Sequence, residues 1–165
     1  MIIVPLTVTE LQILDYVATR RYIATSNKGK EMKQDPTRSP WEIVLDGVYG
    51  EYAVAKHFNL FIDLNCDYRK FGADLEQNDG STIDVKSTRR TGGPLNATEW
   101  AIRKPADIFI LTEIYDTEVH IVGWIDRATF LVDSNKHQLK DRDPYYCLPQ
   151  EYLKVFNDKK RKKTL

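Results

Sequence analysis

The chain has 165 residues, 42% of them hydrophobic and 29% charged, with 24 basic and 24 acidic side chains. That length supports one domain with a substantial core and leaves little room for a second. The composition excludes a collagen-like, low-complexity or disulfide-dense chain, and no apolar run approaches the roughly 18 residues that a membrane-spanning helix needs.

Met1-Ile2-Ile3-Val4-Pro5-Leu6 has no basic leader and no small-residue cleavage site. It does not read as a signal peptide, so a cytoplasmic location is expected. Cys66 and Cys147 are far apart and form no C-x-x-C pair, so two free thiols are expected rather than a zinc site or a disulfide. The zero net charge hides an asymmetry. Five basic residues form one run, Lys159-Lys160-Arg161-Lys162-Lys163, and without them the balance is 19 basic against 24 acidic, or −5. Any affinity for a polyanion must therefore come from local patches.

In residues 7–25, Leu11, Leu14, Ala18, Tyr22 and Ile23 recur at helical spacing and predict a first helix. Residues 26–40 are polar and hold a glycine and two prolines, which predicts a long exposed loop. Its Lys28, Lys30, Lys33 and Arg38 are more simply solvated than bound to phosphate. Residues 41–58 predict the strongest helix, started by Ser39-Pro40. Val44, Val48, Ala55 and Phe58 make its apolar stripe, flanked by Gly47 and Gly50. Glu51 falls inside that stripe. A carboxylate there is costly unless it is paired, hydrogen-bonded or bound to a metal.

Asn78-Asp79-Gly80 is a turn signal joining a short strand near 73–76 to a longer one at 81–87. Residues 88–94 form a loop, 95–97 a short strand and 98–104 a helical turn. Residues 106–114 and 118–125 are apolar strands close enough to pair as a hairpin. A helical turn follows at 127–132, then a polar loop over 133–147 and a short helix over 149–156. The expectation is one domain over 1–158, with its core at about 41–125, and a disordered basic tail at 159–165.

A loop centred on Asp79 sets Asp74 directly across from Asp84, and residues two apart on a strand share a face. Asp74, Asp84 and Lys86 then converge, while Ile83 and Val85 point into the core. Two neighbouring aspartates repel unless they share a proton or a divalent cation, and hard oxygen ligands suit Mg²⁺, with Mn²⁺ as a substitute. A lysine beside them offsets charge and can hold a water. The string [DE]-x-K alone is weak, since about one arises by chance in a chain of this size. Three occur here, Glu31-Met32-Lys33, Asp84-Val85-Lys86 and Asp158-Lys159-Lys160. Only the middle one lies in a β-branched strand after a turn, with an aspartate across the hairpin and a preceding helix carrying a carboxylate on its buried stripe. The plain alternative is a surface cross-strand pair of Asp84 and Lys86 with Asp74 in the turn.

The helix with Glu51, then Gly72-Ala73-Asp74, the hairpin and Ile83-Asp84-Val85-Lys86, resembles the PD-(D/E)XK nuclease superfamily over roughly residues 41–125, about half the chain. The segment Gly47 to Ala53 is similar to the glycine-flanked glutamate helix of many members. The proline of the family's name is absent, since Ala73 precedes Asp74, as it is in many members. The resemblance implies a mixed α/β (α+β) fold, a restriction-endonuclease-like αβββαβ core with helices flanking a mixed sheet. Small stand-alone cores of this kind are frequent among phage and mobile-element proteins. It also implies metal-dependent hydrolysis of nucleic-acid phosphodiesters, as an endonuclease acting on DNA, with RNA open. By that likeness Asp74 and Asp84 bind the metal with the Val85 carbonyl, Lys86 orients and activates water, and Glu51 completes the acidic site. Members usually leave a 5′-phosphate.

An acidic site repels nucleic acid, so cations must line the substrate's path. The candidates are Arg89 and Arg90 after the catalytic strand, Arg103 and Lys104, and Arg20 and Arg21 at the end of the first helix. The basic tail would add salt-sensitive attraction. His57, His120 and His137 lack metal-ligand spacing, and Gly92-Gly93-Pro94 lacks the context of a phosphate loop. Trp41, Trp100 and Trp124 read as core or interface rather than as base-stacking platforms. A homodimer is expected, because cutting both strands of a duplex often takes two copies of a small site; a membrane partner is not. Competing readings are a nuclease-like fold that binds nucleic acid or protein without cutting, and a small structural or interaction protein with a fortuitous hairpin.

Overall fold

A computed structural model of the chain describes residues 1–26, 37–67, 72–140 and 143–156. The loop lysines 28, 30 and 33 and the basic tail lie outside them. The strands are β1 (Ile2–Pro5), β2 (Leu75–Glu76), β3 (Thr82–Thr88), β4 (Leu95–Thr98), β5 (Ile108–Ile114), β6 (Glu118–Asp126), β7 (Lys136–His137) and β8 (Tyr145–Leu148). The helices are α1 (Val8–Ser26), α2 (Pro40–Phe58) and the single turn α3 (Arg127–Phe130). The result is a mixed α/β fold. Among the described residues, no helix is long and apolar enough to cross a membrane.

The larger sheet has the order β1-β6-β5-β3-β2. Its β3–β5 pair is parallel and its other pairs antiparallel. Helices α1 and α2 cover one face, over a core that includes Leu14, Val17, Val48, Val54, Ile83, Val85 and Ile110. A small sheet, β4-β8-β7, covers the other over Leu95, Phe109, Leu111, Phe130 and Tyr146. With both faces covered, β5 is apolar on both sides, and Phe109 to Ile114 are all buried. That is why its first four residues, Ile108-Phe109-Ile110-Leu111, read as a continuous hydrophobic run rather than an alternating one.

Helix α2 begins as its sequence specifies. The Ser39 hydroxyl accepts from the Glu42 N–H, the Glu42 carboxylate accepts from the Ser39 N–H, and Pro40 opens the first turn. It ends at Asn59 in the left-handed conformation, φ 55°. The hairpin register is also as expected: Leu75 opposes Ile83 and Glu76 opposes Thr82, which centres the turn on Asp79. Both cysteines are free.

Several expectations are corrected. The strand at 95–97 forms, but as β4 of the small sheet, paired with β8 rather than added to the main sheet. The reversal before it is the reason. Gly93 N–H bonds to Arg90 O, Gly92 takes φ 70°, and Gly92 N–H donates to buried Glu113, so the chain turns onto the opposite face. The expected loop at 133–147 contains β7 and β8, whose Tyr146 and Leu148 alternate into the second core. The N-terminal Ile2–Pro5 is an edge strand on β6. The final helix shrinks to one 3-10 turn, Gln150–Tyr152, followed by a bridge between Lys154 and Trp124.

One glycine sets how closely α2 lies on the sheet. A Cβ on Gly50 would sit 2.3 Å from Ser87 Oγ and 2.6 Å from Thr112 Oγ1, whereas one on Gly47 would meet nothing within 4 Å. The Ser87 and Thr112 hydroxyls are themselves hydrogen-bonded at 2.9 Å and have little freedom to yield. Gly50→Ala is therefore expected to destabilise the fold by about 1–3 kcal/mol through overpacking. Gly47→Ala should be neutral or stabilise by up to about 1 kcal/mol through helix propensity. Urea denaturation of the two variants checks this contrast.

Candidate active site

Asp84 is fully buried, yet it sits on a strand whose neighbours Ile83 and Val85 face α1 and α2. Its parallel partner is Phe109, of the second core, so Asp84 and Lys86 look toward the opposite face. Two ammonium groups meet the carboxylate there. Lys86 Nζ forms an ion pair with Oδ2, and Lys104 Nζ lies 2.7 Å from Oδ1. Apart from the Lys86 ammonium, buried Oδ2 has no partner among the described residues.

Asp74 reaches the same place for a backbone reason. Strand β2 covers only Thr82 and Ile83 of β3. The next peptide on that edge, Val85 N–H, donates instead to Asp74 Oδ2 at 2.8 Å. Asp74 N–H in turn bonds to Ile83 O at 2.9 Å, which holds the residue at the strand edge. A strand residue sends its N–H and C=O toward the same edge, so the Val85 carbonyl points along this one too. The other carboxylate oxygen of Asp74 is 3.8 Å from Lys104 Nζ. The two aspartates thus share one ammonium.

Glu51 enters from α2, one residue after Gly50. Arg21 of α1 donates to its Oε2 at 2.7 Å and to the carbonyls of Asp63 and Asn65 at 2.6 and 3.3 Å. One guanidinium therefore ties α1, α2 and the segment after α2 together. Glu51 is near enough to raise Asp74 electrostatically. It does not join the two aspartates in a ligand set: among the described residues, no three acidic, histidine or cysteine side chains come together as a metal cage.

The charges act on one another. Burial, and then the negative charges of Glu51 and Asp84, push the Asp74 carboxyl up to about 7 against the pull of Lys104 and Lys86. Burial works on Asp84 in the same sense, but Lys86 and Lys104 outweigh it and hold Asp84 below the usual carboxylate range. Lys104 is partly buried, which favours its neutral form, yet Asp74 and Asp84 hold its proton more firmly than water would.

The structure sorts the expected cations differently from a phosphate path. Arg21 and Lys104 are counter-ions inside the site. Arg89 lies over α2, donating to both oxygens of buried Asp46 at 3.0 and 3.3 Å, with Arg38 paired to the same carboxylate. That cluster holds the loop after β3 on α2. Arg20, Arg90 and Arg103 are exposed, and Arg103 stacks over the exposed Trp100 ring at 4.7 Å. Of the two places expected for Trp100, core or interface, its exposure excludes the core. A groove beside Asp74, lined by Phe61, Leu75, Thr82 and Pro105 together with the acidic Asp63 and Glu76, opens the aspartate to solvent.

Sequence reading missed Arg127. Its guanidinium donates to the carbonyls of Ala101, Lys104 and Ala106 at 3.3, 2.8 and 3.1 Å, and also to Ile102 O. It fixes the 3-10 turn Glu99–Arg103 and so the root of Lys104. Nothing in the local sequence at 127 signals this, because all four acceptors are backbone atoms more than 20 residues away.

Comparison with protein-family models, curated proteins and solved structures returned no match.

The raised Asp74 carboxyl gives a stability prediction. In the unfolded chain Asp74 ionises near pH 4, but in the fold only near pH 7. Its contribution to stability is present below about pH 4 and is lost as pH rises through 7. Asp74→Asn keeps an acceptor for Val85 N–H and carries no charge. It should exceed wild type in stability by roughly 1–3 kcal/mol at pH 7.5, with the gap closing toward pH 4. Urea unfolding at both pH values, without divalent metal, checks it.

Proposed function

We propose that the protein is a divalent-metal-dependent nuclease that hydrolyses DNA phosphodiester bonds, with the resting site described above. One observation carries the reading: Asp84 of β3 and Asp74, just before β2, converge on a single cation, beside a lysine two residues along β3. Asp84 Oδ1 and Asp74 Oδ1 both approach Lys104 Nζ, and buried Asp84 Oδ2 has, among the described residues, only the Lys86 ammonium as partner. These donors fit Mg²⁺ or Mn²⁺, which commonly takes one or two carboxylates and completes its shell with water and substrate phosphate. Asp74 and Asp84 would hold the ion, with the Val85 carbonyl at the same strand edge. Glu51, held by Arg21, would act on it through water. When bound, the ion would supply charge stabilisation at the phosphoryl oxygens and leaving group.

The chain's own residues divide the remaining work. Lys86 is anchored in β3 by the buried ion pair with Asp84, so its ammonium can orient a water at a fixed place. Asp74 tied to Val85 N–H keeps its second oxygen directed at the site. The groove beside Asp74 gives a phosphate-bearing strand access, and exposed Arg20, Arg90 and Arg103 are available for backbone contacts. The resemblance of this helix and hairpin to PD-(D/E)XK nucleases supports the same reading. The position of β4 in a separate sheet departs from that family's three-strand arrangement.

A specific observation favours the second reading, a nuclease-like fold that binds without cutting. Arg21, Lys86 and Lys104 match the three carboxylates charge for charge, so the site is electrically satisfied without metal.

The deciding assay incubates wild type, Lys86→Ala and Asp84→Ala with supercoiled plasmid, branched DNA and RNA in Mg²⁺ or Mn²⁺. Nicking by wild type that drops at least about 100-fold in each variant, with the fold retained by circular dichroism, supports the nuclease. A folded wild type that binds these substrates and cuts none of them would establish the binding module instead.

A further inference from the structure

Lys104 does something that neither the aspartates nor Lys86 explains. Its ammonium lies between the inner oxygens of Asp84 and Asp74, at 2.7 and 3.8 Å. Lys86 approaches the other oxygen of Asp84. The place where two carboxylates face each other, the natural seat of a shared cation, is held by a lysine of the chain itself. We propose that Lys104 is a built-in competitor for that seat, an ammonium that stabilises the metal-free site and must swing out when a divalent cation binds. The inference rests on the metal-dependent reading of the site.

Three features support it. An ammonium and a divalent ion cannot occupy the space between the same two oxygens, since like charges at such separations repel by several kcal/mol even at intermediate dielectric. The backbone under Lys104 is fixed by Arg127, which bonds to the carbonyls of Ala101, Lys104 and Ala106. Movement is therefore confined to the flexible four-carbon stem, and the half-exposed side chain has solvent to enter. Lys86, by contrast, rises from the middle of β3 and pairs with an oxygen that no other group reaches. The two lysines divide accordingly: Lys86 stays through metal binding, and Lys104 leaves. A released Lys104 ammonium remains tethered beside the site, where the next available anion is a substrate phosphate.

The test uses the full chain and metal alone. Mn²⁺ affinity is measured by the electron paramagnetic resonance signal of the free ion for wild type, Lys104→Met and Asp84→Asn. The ammonium of Lys104 in ¹⁵N-lysine-labelled wild type is followed by NMR during Mg²⁺ titration, with Lys104→Arg, which keeps the counter-charge and so the fold, supplying the assignment. Lys104→Met should bind Mn²⁺ about tenfold tighter or more, and Asp84→Asn much more weakly. The Lys104 resonance should lose its protected, hydrogen-bonded signature as Mg²⁺ saturates, while that of Lys86 persists. Removing any nearby positive charge tightens metal binding somewhat, so the NMR result separates displacement from simple charge loss. Metal binding by wild type with a Lys104 ammonium that stays in place would overturn the inference and leave the nuclease reading intact, whether or not Lys104→Met folds. Wild type and a folded Lys104→Met that both fail to bind Mn²⁺ would overturn the metal reading and the inference together.

Discussion

A charge that cannot reach water organises this protein. Asp84 has no solvent exposure and stands in the middle of a strand that is covered on both faces. Burying an isolated carboxylate costs several kcal/mol, and the cost is offset only by close cations with good geometry. Lys86 supplies one from the same strand, two residues on and so on the same face. Lys104 must come from elsewhere, and the 3-10 turn before β5 exists in its particular place, clamped by Arg127, to deliver it. The carboxylate, the turn and the clamp form one dependency: loosening the clamp would leave the aspartate short of a partner.

The edge of β3 is the second half of the arrangement. Because β2 covers so little of β3, the Val85 N–H needs another acceptor, and the Asp74 carboxylate provides it. That backbone requirement brings a second acid to within reach of the same ammonium. On the other side, the missing side chain at Gly50 lets α2 lie close against Ser87 and Thr112, which sets Glu51 at the same edge. Arg21 completes the set. Three acids and three bases then face one another: Arg21–Glu51 ties α1 to α2, Lys104 ties the turn before β5 to β3, and Lys86–Asp84 closes within β3. The balance is local and strained in one respect. Asp74 is pushed toward neutrality by burial and then by the negative charges of Glu51 and Asp84.

Much of this was legible in the chain. Ser39-Pro40 marked the start of α2, and Asn78-Asp79-Gly80 marked a hairpin whose register then followed from its centre. These are local rules, written in residues adjacent in sequence, and they carried over intact. The period-two pattern likewise set Asp84 and Lys86 on one face and Ile83 and Val85 on the other. Glu51 stood out because a carboxylate on an apolar stripe is a local inconsistency, and such inconsistencies mark places where another element must intervene. The rest of the small sheet was not legible: β7 is only the two exposed residues Lys136–His137, and β8 is four residues, too short to show a period against the polar stretch before it.

The sequence by itself determined the two long helices, the strands β3, β5 and β6, the hairpin register, and which acids are out of place in their surroundings. All of these depend on spacing within one element or across one turn. Only the tertiary structure decided which cations answer those acids. Arg21 and Lys104 read as surface contacts for a phosphate chain, yet they are 30 and 20 residues from the carboxylates they neutralise and meet them inside the fold. Arg89, the strongest candidate for nucleic acid by position, is spent on buried Asp46. Long basic side chains reach many partners, so their identity along the chain says little about which one they take. That choice is made when the elements pack, because burial raises the cost of leaving any particular carboxylate without a counter-charge.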